Sequence, residues 1–76
     1  MSEKLPRVTA AEIIKALEKD GFSLARQSGA HKIYKNQEGK RATVSYHVGK
    51  ILHPQVLKSI LRDADWTAEE LQELLK

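Results

Sequence analysis

Apolar residues recur at helical spacing in the first third of the chain. They lie three or four positions apart, on one helical face, at Ala10, Ile13, Ile14 and Leu17. Thr9 followed by Glu12 matches a capping box, which predicts that a helix begins there. Gly21 suits the left-handed residue that commonly ends a helix. Residues 1–8 show no apolar period, so we expect a flexible N-terminal leader followed by a single domain over residues 9–76.

From Phe22 the apolar period changes to two residues, which is typical of strands. We predict three short antiparallel strands, at residues 22–28, 31–36 and 41–47, with a break at Ser28-Gly29 and a turn over residues 37–40. In the third strand one face carries Ala42, Val44 and Tyr46, and the other carries Arg41, Thr43, Ser45 and His47. The second strand mixes apolar and charged residues on both faces, so its alternation does not decide which face His31 occupies.

The last third of the chain returns to helical spacing. Pro54 suits the first turn of a helix whose apolar stripe is Val56, Leu57, Ile60, Leu61 and Ala64. Thr67 and Glu70 form a second capping box before another short helix, and Trp66 is expected to fill the corner between the two helices. The predicted fold class is therefore α+β, in the order α-β-β-β-α-α, with helices covering one face of a three-stranded antiparallel sheet.

Composition excludes several classes of protein. A chain of 76 residues supports one core. The absence of cysteine removes disulfides, thiolate metal sites and thiol nucleophiles. Apolar runs are too short for a membrane span or a signal peptide, so we expect a soluble, cytoplasmic protein without a membrane partner.

Charge is distributed unevenly along the chain. The whole sequence has a formal net charge of +3, but six bases and a single acid, Glu38, lie between residues 26 and 50. Those bases are Arg26, Lys32, Lys35, Lys40, Arg41 and Lys50. The surplus fits a polyanionic partner such as nucleic acid, although a solvated lysine-rich sheet face is at least an equal alternative on composition alone.

Histidine supplies the candidate chemistry. His31 and His47 lie on the predicted hairpin at similar distances from its turn, so both are expected near one rim of the sheet. His53 precedes Pro54 and is interpreted as a helix cap. A lone histidine is more often structural than catalytic. No helical pair of histidines with a carboxylate occurs, so we expect neither a metal nor a cofactor. What remains is an imidazole acid or base with cationic phosphate contacts, which suffices to cleave RNA because its 2′-OH is the nucleophile.

Several segments together resemble the HicA (YcfA-like) toxins. The most specific is Gly29-Ala30-His31-Lys32-Ile33-Tyr34, and the others are Thr43–His47 and Leu57–Ala64. The resemblance covers about residues 9–75 and implies a double-stranded-RNA-binding-like fold, mRNA interferase activity, and neutralisation by a HicB antitoxin. It implies His31 as the catalytic histidine and gives His47 less support. Two positions depart from the family pattern: Ala30 stands where serine is usual, and Ser45 where proline is usual.

Two functions from different classes follow. The leading hypothesis is a toxin that cleaves mRNA with His31 as general acid or base, His47 as a candidate second proton-transfer group, and phosphate contacts from Arg26, Lys32, Lys35 and Arg41. The alternative is a non-catalytic RNA-binding module of the same fold, and a purely protein-binding domain is a third. For the toxin, an acidic antitoxin covering the basic face is the expected partner.

Overall fold

A computed structural model describes residues 5–47 and 50–76 of the chain. Along the chain lie α1 (Ala10–Lys19), β1 (Ser23–Ser28), β2 (His31–Lys35), β3 (Arg41–Ser45), α2 (Pro54–Ala64) and α3 (Ala68–Leu74). The strands form one antiparallel sheet in the order β1-β2-β3. The predicted α+β class and the order α-β-β-β-α-α are confirmed.

Local side-chain chemistry sets the ends of α1. Thr9 and Glu12 form the predicted capping box, with the Thr9 N–H donating to Glu12 Oε1 at 2.9 Å. At the other end Gly21 has φ +92°. The Phe22 N–H donates to the Leu17 carbonyl at 2.9 Å, which closes a Schellman motif. The chain thus leaves α1 in the direction of β1.

The two C-terminal helices also begin at capping residues. Pro54 opens α2, and the Nδ1 atom of His53 accepts from the Gln55 N–H at 3.1 Å, as a cap residue does. Thr67 and Glu70 form the predicted second capping box at the start of α3. Between the helices, Asp65 adopts the left-handed conformation at φ +61°, so the connection bends sharply.

The helices cover one face of the sheet. From the strands, Tyr34, Ala42 and Val44 are buried in the core, whereas every residue of β1 is exposed. The largest fully buried side chains from the helices are Ile13, Leu17, Leu57, Ile60 and Leu71. Helical cover therefore lies over β2 and β3 and leaves the β1 edge open.

Trp66 occupies the corner between α2 and α3, as expected. Only 8% of it is exposed, and its ring meets that of Phe22 edge-on with 6.2 Å between centroids. Its indole Nε1–H donates to Asp20 Oδ2 at 2.7 Å. This bond ties the helical corner to the end of α1.

The structure places the last residue of the predicted N-terminal leader against the domain. Val8 is only 2% exposed and belongs to the core. The Leu52 N–H donates to the Val8 carbonyl at 2.8 Å, and Thr9 forms a β-bridge with Ile51. Val8 is a single apolar residue held by a segment that is distant in sequence. It therefore produces no periodic signal from which its burial could be predicted. Residues 1–4 lie outside the described residues.

No helix in the described part of the chain combines the length and apolar character needed to cross a membrane.

Candidate functional site

The strand register fixes the position of His31. It is the first residue of β2, and its partners are Ser28 on β1 and Ser45 on β3. The Tyr46 N–H donates to the Ala30 carbonyl at 2.7 Å. Because hydrogen-bonded and non-hydrogen-bonded pairs alternate, His31 and Ser45 form a non-hydrogen-bonded pair, in which side chains approach closely. The exposed His31 ring is thus flanked by two serines.

The turn before β2 places His31 at the end of the sheet. Gly29 and Ala30 form a two-residue hairpin loop between Ser28 and His31, and Gly29 has φ +58°. A positive φ at the first loop residue is what a type II′ hairpin requires, and glycine adopts it without strain. The Gly-x-His spacing of the sequence therefore places glycine first in the loop and His31 first in β2.

The sheet face that carries His31 is not covered by the helices. Cross-strand partners share a face, so the register assembles one surface from three rows of three residues. We call this surface the open face; its rows are Ser28, His31 and Ser45, then Arg26, Ile33 and Thr43, then Ser23, Lys35 and Arg41. Ile33 and Ser45 are half-buried and the rest are exposed. The structure therefore assigns His31 to the open face, which the alternation of the second strand alone does not decide.

Charge on the open face has a single sign. It contains three cations, Arg26, Lys35 and Arg41, and none of its nine residues is acidic. Successive rows are about 6.7 Å apart, because residues on one face are separated by two strand rises. His31 thus lies at one end of a positive surface whose cations follow within roughly 13 Å, an arrangement suited to a chain of phosphates.

Lys32 lies on the opposite face. Its cross-strand partner is the buried Val44, and its ammonium sits over the ring of Tyr46 at 4.3 Å from the centroid, a cation–π contact. Of the four predicted phosphate contacts, the structure brings Arg26, Lys35 and Arg41 together on the His31 face and separates Lys32 from them.

Tyr34, the last residue of the Gly-x-His-x-x-Tyr segment, also faces the helices. It is 4% exposed. Burial raises the pKa of its phenol above the ordinary 10.0, and the negative charge of Glu18 adds to this. The histidine and the tyrosine of the segment therefore have separate positions: one on the open face and one in the core.

Lys40 lies in the basic segment of the sequence, but its positive charge is paired with carboxylates. Its ammonium lies 3.3 Å from Asp65 Oδ2 and 3.5 Å from Glu38 Oε1. The hydrogen bond to Asp65 is the main cause that raises the pKa of Lys40, with the charges of Asp65 and Glu38 adding to it. Asp65 is distant in sequence, so counting charges along the segment could not reveal this pairing.

His47 does not lie directly opposite His31. It follows Ser45, the partner of His31, by two residues and is exposed beyond the end of β3. It contributes instead to a cavity of about 300 Å³ beside β3. Three other polar residues, Ser45, Lys50 and His53, and the apolar Ile51, Leu52 and Val56 complete its lining. Sequence reasoning missed this cavity because it depends on where the chain between β3 and α2 lies.

Within residues 5–47 and 50–76, no three side chains of the types that bind metals come together.

Comparison with protein families gives one finding. The model of a family described as the HicA toxin of bacterial toxin–antitoxin systems matches residues 10–66. The match spans the sheet, α1 and α2, and it includes the open face. No curated protein matches the chain.

Proposed function

The chain belongs to the HicA toxin family of bacterial toxin–antitoxin systems, and we propose that its toxic action is metal-independent cleavage of mRNA on the open face. The observation that carries the proposal is the position of His31. It is an exposed imidazole at one end of a surface with three cations and no carboxylate. A polyanion can bind there without repulsion, and a histidine then meets its backbone.

The proposed reaction uses the substrate's own nucleophile. The ribose 2′-oxygen attacks the adjacent phosphorus as its proton passes to a base, and the bond from phosphorus to the 5′-oxygen breaks as that oxygen takes a proton. The products are a 2′,3′-cyclic phosphate and a 5′-hydroxyl. His31 serves as one of these two proton-transfer groups, and His47 is the candidate for the other.

The cations of the open face supply the electrostatic part. Negative charge on the phosphorane is stabilised by donors that are already in place. Arg26 and Arg41 offer planar donors that match phosphate oxygens, and Lys35 offers a point charge. Lys32 is left out of this set because it lies over Tyr46 on the other face.

We propose a HicB-type antitoxin as the partner that silences this surface. An acidic antitoxin segment lying across the open face would neutralise the three cations and cover His31 at once. The charge complementarity that binds the antitoxin would then also inhibit the toxin.

The experiment that tests the proposed function is incubation of the purified chain with mRNA in EDTA. We expect cleavage, products that end in a 2′,3′-cyclic phosphate, and complete resistance of 2′-O-methyl RNA, which lacks the nucleophile. RNA that stays intact but shifts in a gel would instead establish the non-catalytic RNA-binding alternative. RNA that neither shifts nor breaks would contradict both.

A further inference from the structure

The cavity beside β3 adjoins the proposed cleavage site. Ser45 belongs to both: it is the cross-strand partner of His31 and one of the residues that line the cavity. In a non-hydrogen-bonded pair the two Cα atoms are only about 4.5 Å apart. When the phosphate of a nucleotide lies at His31, the rest of that nucleotide can therefore reach this cavity.

The lining combines an apolar wall with imidazoles and a cation. Ile51 is 52% exposed, an unusual degree for a large apolar side chain in this small domain, and Val56 is half-buried beside it. His47 and His53 bring two flat rings, and Lys50 adds a positive charge. Unpaired bases of RNA bind by stacking on such rings and by hydrogen bonds at their edges.

The cap of α2 fixes how His53 can act. Its Nδ1 accepts from the Gln55 N–H, so in the neutral ring the proton is on Nε2. That nitrogen is then a hydrogen-bond donor that the cap does not use. The cavity volume of about 300 Å³ lies at the lower end of the range for small-molecule sites.

We infer that this cavity is a base-binding subsite, which holds the nucleobase next to the cleaved phosphate and so sets the sequence preference of the cut. The inference rests on the proposed function for the identity of the ligand. It assigns roles that the cleavage chemistry does not need: Val56 and Ile51 form the wall, and Lys50 and the His53 Nε2–H contact the base edge.

Two variants and one control separate this role from folding. Val56→Trp fills the cavity. His53→Asn removes the ring but keeps the helix start, because asparagine is among the best N-cap residues. Leu24→Trp is the control: Leu24 is 48% exposed on β1, so it receives the same bulk outside the cavity. Circular dichroism and thermal unfolding check that all three remain folded.

The first measurement does not require cleavage. Nucleoside 5′-monophosphates and ribose 5-phosphate are titrated into the ¹⁵N-labelled chain by NMR. We expect the mononucleotides to shift the imidazole signals of His47 and His53 and to bind at least fivefold tighter than ribose 5-phosphate. Val56→Trp should abolish that difference and Leu24→Trp should keep it. Equal binding of ribose 5-phosphate, or full binding by Val56→Trp, would overturn the subsite.

The second measurement maps cut sites on a random-sequence RNA. We expect the wild type to prefer certain bases at one position beside the cut, and Val56→Trp and His53→Asn to reduce that preference at least fivefold. An unchanged preference in both variants would refute the inference. Base-dependent binding without any cleavage by the wild type would support the subsite while refuting the proposed function, and cleavage without base-dependent binding would do the reverse.

Discussion

The division of the basic residues between two sheet faces leads to a quantitative prediction about RNA binding. Lys35 and Arg41 are cross-strand partners on the open face, whereas Lys32, three residues before Lys35, lies over Tyr46 on the other side. We expect Lys35→Ala with Arg41→Ala to weaken RNA binding by removing phosphate contacts. Lys32→Ala removes one positive charge from the opposite face and should have little effect.

The magnitude follows from counterion release. Each phosphate contact to a single strand contributes about 0.7 to the slope of log affinity against log salt. With Arg26 as the third cation, the open face makes three contacts, so the slope is about −2 and affinity falls roughly twentyfold between 50 and 200 mM salt. The double variant retains one contact, a slope of about −0.7 and a loss of roughly threefold.

The assay is fluorescence anisotropy with a labelled 2′-O-methyl RNA, which cannot be cleaved by the proposed reaction. Titrations at four salt concentrations give the slope for each variant. Lys58→Ala, an exposed base on α2, is the matched control and should behave as the wild type. If Lys32→Ala flattened the slope as much as the double variant, or if the double variant kept the wild-type slope, the assignment of the RNA surface to the open face would be refuted.

Three further predictions concern the turn after α2, the buried tyrosine and the antitoxin. The variant Asp65→Gly should be more stable than Asp65→Ala by about 1 kcal/mol in urea unfolding. Both variants lose the pair with Lys40, but only glycine relieves the strain of the left-handed conformation. Equal stabilities of the two variants would contradict this prediction. The raised pKa of Tyr34 contributes stability below pH 10 that is lost as pH rises past the unfolded value of 10.0. Tyr34→Phe should therefore show a shallower fall in unfolding free energy at alkaline pH, and an unchanged fall would count against it. Arg41→Glu should weaken antitoxin binding at least tenfold by calorimetry, and unchanged affinity would place the antitoxin elsewhere.

The helices and their ends could be predicted from sequence because their causes are local. Thr9 and Thr67 each stand three residues before a glutamate, and both capping boxes form. Gly21 ends α1 as predicted because a left-handed residue there costs glycine little. Such signals lie within a few residues of the feature that they determine.

The strand faces depended on contacts that are distant in sequence. In β2 both alternating sets contain a base and an apolar residue, so only pairing with the clearly alternating β3 assigns His31 to the open face. β1 adds a bulge between Leu24 and Arg26, which changes its alternation. Burial of Val8 and the pairing of Lys40 with Asp65 likewise join segments that local patterns treat separately.

Part of the candidate site could be predicted from the sequence. The Gly-x-His spacing indicated His31, and the structure gives that spacing a reason in the two-residue turn. The separation of Lys32 from the other bases was not accessible, because a lysine at this position looks like the other bases of the segment in the sequence. The cavity beside β3 was also not accessible, since five of its seven lining residues lie between β3 and α2.

The most direct test of the account is the rate at which His31→Ala cleaves RNA. In single-turnover reactions with a 5′-labelled mRNA fragment in EDTA, we predict that the variant cleaves about 10² to 10⁴ times more slowly than the wild type. Its melting temperature and its affinity for 2′-O-methyl RNA should change little, because His31 is exposed and the three cations remain. Cleavage by His31→Ala at the wild-type rate would contradict the central claim.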